Sequence, residues 1–132
     1  MAAKNNYLII EENILRDPVI EDLILHESGG ADAFGYYIQI LTIMRDYKDF
    51  DYKLPIKRLD IIAGSRLMIY DEAKRKRFGE CVGLMVMLGL LKKDDECIWS
   101  ERRTRDLFKQ DQIRDKQSLA AMETNRRRGL TV

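Results

Sequence analysis

The sequence predicts a mainly helical domain, a winged helix-turn-helix with a small β-hairpin wing and an added C-terminal helix. Three observations support this prediction. Two helical patterns follow each other between residues 55 and 88, and two short extended segments, residues 90–93 and 96–100, come directly after them. A long, highly charged helical pattern then begins at Glu101. A helix-turn-helix followed at once by a short hairpin is the order of a winged helix.

The first half of the chain is predicted to supply two helices. Asp17 followed by Pro18 is typical of a helix start, because Asp can accept a backbone N–H there and Pro suits the first turn. The glycine pair at residues 29–30 is expected to end this helix, with His26 in its last turn. Residues 31–48 carry a broad apolar stripe, which predicts a central helix contacted on more than one side.

The middle of the chain is predicted to hold the helix-turn-helix. Residues 52–54 are expected to form a short strand, and Pro55 is expected to open the next helix. After a turn, residues 67–70 form a bridge that exceeds the short turn of a minimal helix-turn-helix. The second helix is predicted to start at Asp71 and to stop at Gly89.

The hairpin that follows can be paired in two ways. A two-residue turn at residues 94–95 would place Lys93 opposite Glu96 and Leu91 opposite Ile98. This turn contains no glycine, so a longer loop with another register is the alternative.

The two ends of the chain carry weaker patterns. Residues 7–10 are expected to form a short strand or an extended arm. From residue 101 to about residue 128 the pattern is helical but polar, and such a helix is stable only if one side packs on the body or on another chain. We therefore divide the chain into a winged-helix domain at residues 1–100 and a basic C-terminal helix at residues 101–132. This helix is also a candidate linker to a further domain.

Charge is unevenly distributed along a chain whose net charge is only +1. Residues 1–56 carry five Lys and Arg against ten Asp and Glu, a net of −5. Residues 57–99 carry nine against seven, a net of +2, and residues 100–132 carry nine against five, a net of +4. An acidic front and a basic back suit a polyanionic partner that approaches from one side, but solvated helix faces explain the asymmetry equally well.

The sequence contains no pattern typical of catalysis, of a cofactor site or of a metal site. Cys81, Cys97 and the single histidine, His26, lack the companions that a zinc site requires. An enzyme is therefore not expected. The longest apolar run, residues 84–91, is far below the roughly 20 residues of a membrane span. The apolar run at residues 7–10 is too short for a signal peptide, so we expect a cytoplasmic protein without a membrane partner.

The best functional candidates are the four cations Lys74, Arg75, Lys76 and Arg77. Cations in the first turns of a helix oppose its macrodipole, and a local rule broken without structural gain is a functional hint. The recognition helix of a helix-turn-helix enters the major groove by its N-terminal residues, where Lys and Arg bind phosphates and Arg can also read guanine. The first three of these cations span about 200° around the helix, so they cannot all face one groove. A solvated charged face is the alternative.

Four further cations complete the predicted DNA-binding set. They are Lys92 and Lys93 in the hairpin and Arg102 and Arg103 at the start of the last helix. The acidic hairpin tip, residues 94–96, is expected to weaken the contribution of the wing by repelling phosphates.

Three segments of the chain together resemble a known family. They are Gly30-Ala31-Asp32-Ala33-Phe34-Gly35-Tyr36-Tyr37-Ile38-Gln39-Ile40-Leu41, then Tyr52-Lys53-Leu54-Pro55, then Leu88-Gly89-Leu90-Leu91 with Ile98-Trp99-Ser100-Glu101-Arg102. Their order and spacing are similar to the N-terminal domain of phage and mobile-element replisome-organiser proteins, relatives of DnaD in primosome assembly. The resemblance covers about residues 7–116.

This resemblance implies a winged helix that binds double-stranded DNA or replication proteins and forms homo-oligomers. It implies a role in replication initiation or in control of a mobile element. The alternative is a protein-interaction or oligomerisation module without direct DNA binding. Residues 7–11 depart from the Phe-Pro-His-Asp type of opening found in the family, and family members often continue into a second, DnaD-like domain.

Overall fold

The structure, a computed structural model, describes residue 8 and residues 10–127, with residues 125 and 127 described by their backbone alone. This part of the chain is mainly helical. The α-helices and strands, in chain order, are α1 (Pro18–Leu25), α2 (Ala31–Ile43), β1 (Leu54–Pro55), α3 (Leu59–Ser65), α4 (Glu72–Met87), β2 (Lys92–Lys93), β3 (Cys97–Trp99) and α5 (Glu101–Arg127). Short 3-10 helices lie at Ile14–Arg16, Met44–Phe50 and Ile56–Arg58.

The two ends of the chain lie partly outside the described residues. Of the arm predicted at residues 7–10, only Leu8 and Ile10 are described, and neither belongs to a strand. The final helix is followed to Arg127, in agreement with the prediction for residues 101 to about 128. Among the described helices, none combines the length and the apolar character that crossing a bilayer requires.

Two aspartates begin helices as predicted. The carboxylate of Asp17 accepts the backbone N–H of Val19 at 2.9 Å, and that of Asp71 accepts the N–H of Ala73 at 2.8 Å. The end of α1 differs from the prediction, because α1 stops at Leu25 and His26 already has extended backbone angles. The Nδ1 atom of His26 accepts the backbone N–H of Ser28, and this local bond competes with a further helical turn.

Helix α2 is the centre of the fold, as predicted. Its buried residues pack against α1 on one side and α4 on the other. The regular helix ends at Ile43 and tightens into the 3-10 helix Met44–Phe50, so the prediction of one α-helix to residue 48 is wrong. Asp51 and Tyr52 then turn the chain with positive φ angles of 56° and 62°. This turn buries the Tyr52 ring completely, edge-on to Phe108 of α5.

The small sheet is antiparallel with the strand order β1-β3-β2. Lys93 pairs with Ile98 and Lys92 with Trp99, so the two-residue turn is wrong and the longer-loop alternative is right. The loop forms without glycine because the Asp94 carboxylate accepts the backbone N–H groups of Glu96 and Cys97, at 2.9 and 2.7 Å.

Strand β1 leads into the segment predicted to be a helix-turn-helix. Pro55 is the last residue of β1, where an edge strand tolerates a residue without an N–H donor. It is also the N-cap residue of the 3-10 helix Ile56–Arg58, so the predicted helix start at Pro55 is found, but as a 3-10 helix that precedes α3. The 3-10 helix Ile56–Arg58 and α3 follow, and an irregular bridge, in which Met68 has a φ of 57°, joins α3 to α4. Helix α4 ends at Met87, two residues before the predicted stop, and Gly89 takes the left-handed conformation (φ 83°) that often follows a helix end.

The first half of α5 packs on the body, and the second half does not. Leu107 is completely buried, and Asp111 forms an ion pair with Arg45 of the Met44–Phe50 segment at 3.1 Å. Further along, Leu119 and Met122 are 64% and 65% exposed. The sequence-based expectation that one side of this polar helix packs on the body is confirmed for its first half.

Two leucines of α5 therefore test this arrangement. Replacing Leu107 with Ala should lower the free energy of unfolding by about 2–5 kcal/mol, because it removes buried methyl groups and leaves a cavity. Replacing Leu119 with Ala should change it by less than about 0.5 kcal/mol, because the side chain is exposed. Urea unfolding of both variants measures the difference, and equal effects would contradict the packing described for α5.

Candidate nucleic-acid interface

The four cations at the start of α4 divide into two pairs with different surroundings. Lys74 and Lys76 are exposed and form no hydrogen bond or ion pair with any described residue. Arg75 and Arg77 are half-buried and donate hydrogen bonds to other parts of the chain. Arg75 and Arg77 point about 200° apart on α4, and each finds its acceptors on a different neighbouring segment. Only one pair is therefore available to a partner.

The guanidinium of Arg77 joins three helices. It contacts Asp32 near the start of α2 through two bonds of 2.9 Å, from Nε and from Nη2. It also donates to the carbonyl oxygens of Ser28 and Gly29, both at 2.7 Å, in the connection after α1. All three guanidinium nitrogens are thus engaged within the chain. Hydrogen bonding from this guanidinium holds the pKa of the Asp32 carboxyl below its ordinary value and raises the pKa of Arg77.

The loop that receives Arg77 depends on glycine at two positions. A Cβ atom at residue 29 would lie 1.8 Å from the carbonyl oxygen of Leu23, a distance at which the backbone would have to move. Gly30 has a φ of 138°, a conformation that other residues rarely adopt. This pair was predicted as the end of the first helix. In the structure the carbonyl oxygen of Gly29 accepts from Arg77, and Gly30 is the N-cap residue of α2.

Arg75 fastens the irregular bridge between α3 and α4. Its Nε atom donates to the carbonyl oxygen of Ile69 at 2.8 Å. Its guanidinium also lies against Gly64, where an added Cβ atom would come within 2.6 Å of Nη2. Together with the backbone bond from Ile69 N to Ala63 O at 2.9 Å, these contacts fix the long bridge that the sequence indicated.

The two arginines predicted at the start of α5 also lie in different environments. Arg103 is 5% exposed, and its Nε atom donates to the carbonyl oxygen of Leu41 at 3.1 Å. Burial lowers the pKa of its guanidinium. Arg102 is exposed and forms an ion pair with Glu11 at 2.9 Å. Arg103 is therefore part of the core contact between α2 and α5, and it has no surface to offer to a nucleic acid.

The hairpin presents Lys92 and Lys93 on the outer strand of the sheet, both exposed. The tip next to them is acidic, as noted from the sequence. Hydrogen bonds from the backbone N–H groups of Glu96 and Cys97 lower the pKa of Asp94, so this carboxylate remains charged. The hairpin thus offers two lysines beside a fixed negative charge.

Two exposed cations were not among the predicted DNA-binding residues. Lys57 and Arg58 lie exposed in the short 3-10 helix that leads into α3, and neither is paired with a described residue. The signal was present as two adjacent basic residues just after Pro55. Two basic residues on the outer face of a predicted helix are a weak signal, because that face is usually charged. Near α4, Asp60 and Glu72 border the same shallow depression as Lys76, so the surface carries mixed charge.

Neither a metal cluster nor a recognised relative adds to this picture. Within the described part of the chain, no three His, Cys, Asp or Glu side chains are grouped so that they could hold a metal ion. The chain matches no protein-family model, no curated protein and no solved structure.

The contacts of Arg77 can be tested by stability measurements. Changing Arg77 to Ala should lower the free energy of unfolding by about 1–3 kcal/mol, because it removes a charged donor from several acceptors. Arg77→Lys should restore only part of this loss, since an ammonium group cannot reproduce the planar fork. The matched control is Lys76→Ala, which should change stability by less than about 0.5 kcal/mol. Similar losses in R77A and K76A would contradict the distinction between the two pairs.

The ion pair also predicts a dependence on pH. The pKa of Asp32 is lowered in the folded state, so its contribution is complete above the unfolded-state pKa of about 3.9 and is lost as the pH falls through the folded-state value. Asp32→Asn should therefore destabilise the protein at neutral pH, and the difference from the wild type should shrink below about pH 4. Urea unfolding at a series of pH values measures this. A difference that stays constant with pH would rule out an ionic contribution from Asp32.

Proposed function

We propose that the chain is a DNA-binding winged-helix protein that acts in replication initiation or in control of a mobile element. The observation that carries the proposal is the pair of exposed, unpartnered lysines, Lys74 and Lys76, at the start of α4. Helix α4 follows α3 and precedes a hairpin, and β1 completes a three-stranded sheet. This element order supports a winged helix, a fold whose second helix-turn-helix element enters the major groove by its N-terminal end.

The two lysines lie in the exposed first turns of α4, the end by which such a helix approaches DNA. Residues two apart on a helix point about 200° apart, so Lys74 and Lys76 do not share one face of α4. They suit phosphates on either side of the helix end, contacts that position a helix without reading base edges. Lys92, Lys93, Lys57 and Arg58 are further exposed cations available for phosphates.

The expected mode of binding follows from which cations are engaged. Arg75 and Arg77, the residues able to read guanine in a bidentate pair, are bonded within the chain. The exposed lysines are point charges that suit phosphates. We therefore expect binding to duplex DNA that depends strongly on salt and weakly on sequence, with Kd about 10⁻⁴–10⁻⁶ M at physiological salt.

A salt titration tests this proposal. The affinity for a labelled duplex should fall as salt rises, and Lys74→Ala with Lys76→Ala should reduce the slope of log K against log salt by about 2, since each phosphate contact contributes about 0.9. Fluorescence anisotropy at several salt concentrations measures both quantities.

The matched control for this experiment is the pair Lys109→Ala and Lys116→Ala on α5, which removes the same charge elsewhere. If both double variants reduce the slope equally, the effect is one of overall charge and the role of α4 is excluded. Absence of binding at low salt would also exclude DNA as the partner.

A protein-interaction or oligomerisation module is the second candidate, and the second half of α5 favours it. Leu119 and Met122 lie three residues apart on one face and are exposed. If this face joins two chains, light scattering should show an oligomer, and Leu119→Asp with Met122→Asp should reduce it to the mass of one chain. The control Gln117→Asp with Ala121→Asp, on the opposite face of the same stretch, should leave it unchanged. A wild-type protein that is monomeric at high concentration would contradict self-association.

A further inference from the structure

A groove runs between the segment that precedes α1, helix α2 and the first half of α5. Its volume is about 980 Å³, which is within the range of ligand-binding clefts. The groove lies on different elements from the lysines of α4, and it shares only Lys92 with the cations proposed for DNA. It is therefore a second candidate binding surface, with a chemistry of its own.

Part of the groove wall is apolar. Ile10 and Ile113, from opposite ends of the chain, both line it and are 47% and 52% exposed. Ile14 and Ile38 add half-buried aliphatic surface between them. Exposed aliphatic side chains gathered in one concave surface indicate a site that gains stability by covering them.

The rim of the groove is rich in cations that have no partner. Arg16, Arg105 and Lys109 line it without an ion pair to any described residue. The acidic groups of the groove are partly engaged, since Asp17 caps α1 and Glu11 pairs with Arg102. Of the six basic residues in the lining, Arg103 is buried and Arg102 pairs with Glu11. The exposed and unpaired charges are therefore four cations, Arg16, Lys92, Arg105 and Lys109, and two acids, Glu101 and Asp106.

We propose that this groove binds an acidic amphipathic peptide segment of a partner protein. An amphipathic helix lays its apolar face into a hydrophobic groove, and acidic residues along its edges would meet Arg105, Lys109 and Arg16. A helix of about 12 residues is about 18 Å long and presents three to four apolar side chains on one face. The combination of aliphatic walls and a cationic rim is complementary to such a segment.

Single-stranded nucleic acid fits the same groove less well. Proteins that bind single strands present aromatic side chains on which bases stack. The aromatic residue in the lining of this groove is Tyr37, which is 7% exposed, and the other large apolar residues of the lining are aliphatic. Aliphatic walls offer bases no stacking platform, whereas they match the apolar face of a peptide.

The test is selection from a random library of about 12-residue peptides displayed on phage, with the full chain immobilised. Selected peptides should be enriched in Asp and Glu together with Leu, Ile or Phe at helical spacing. A synthetic peptide of the most enriched sequence should lose at least about tenfold in affinity when Arg105 and Lys109 are both changed to Glu. Lys74→Glu with Lys76→Glu is the matched control, since it makes the same charge change outside the groove and should leave the affinity unchanged.

A second measurement on the wild-type protein keeps the test valid even if the groove variant folds poorly. A peptide with the same apolar positions but Lys in place of each acid should not bind. Failure to enrich any peptide, or equal binding of the acidic and the basic peptide, would overturn the proposal. It would also be overturned if oligo-dT bound the wild type and lost affinity in the groove variant while the acidic peptide was unaffected. A groove variant that converts an oligomer to a monomer would overturn it as well, by assigning the groove to a second copy of the chain.

Discussion

The contact between Arg77 and its four acceptor atoms is the constraint on which the arrangement of helices depends. Helix α4 must be held against α2 while the chain between α1 and α2 turns sharply. One guanidinium meets both needs, because it pairs with the Asp32 carboxylate of α2 and donates to the carbonyl oxygens of Ser28 and Gly29. Since the loop can receive this group only with glycines at residues 29 and 30, three separate stretches of sequence are required together.

This contact changes how the basic start of α4 is interpreted. Four cations near a helix N-terminus are locally unfavourable, which suggested a function for the whole cluster. For Arg75 and Arg77 this unfavourable effect is offset by hydrogen bonds, from Arg75 to the bridge after α3 and from Arg77 to the loop before α2. Lys74 and Lys76 have no such compensation among the described residues. The functional argument therefore rests on two lysines, and it favours contacts with phosphates over base recognition.

Helix α5 contributes to two of the surfaces for which we propose partners, the groove and the exposed face that carries Leu119 and Met122. Its first half is held by Leu107 in the core and by Arg103 and Asp111 in buried polar contacts with the region of α2. These contacts bring Arg105, Lys109 and Ile113 to the side of the groove, so the groove exists only because α5 packs there. Beyond this region the apolar residues Leu119 and Met122 of the helix are exposed. A helix without packing contacts is only marginally stable in water.

The sequence by itself determined the elements whose signals are local. Asp17 and Asp71 begin helices because a carboxylate next to free N–H groups acts within two residues, and the order of helices, hairpin and final helix followed from periodicity. The tertiary structure decided which cations are available, because Arg77 and Asp32 are 45 residues apart in sequence and Arg103 and Leu41 are 62 apart. It also decided the pairing of β3 with β1, whereas the hairpin turn is a local feature in which the Asp94 carboxylate accepts the N–H groups of Glu96 and Cys97. Periodicity assigns a charged residue to the outside of its own helix, and only the packing of the other helices shows whether that outside is water or another part of the chain.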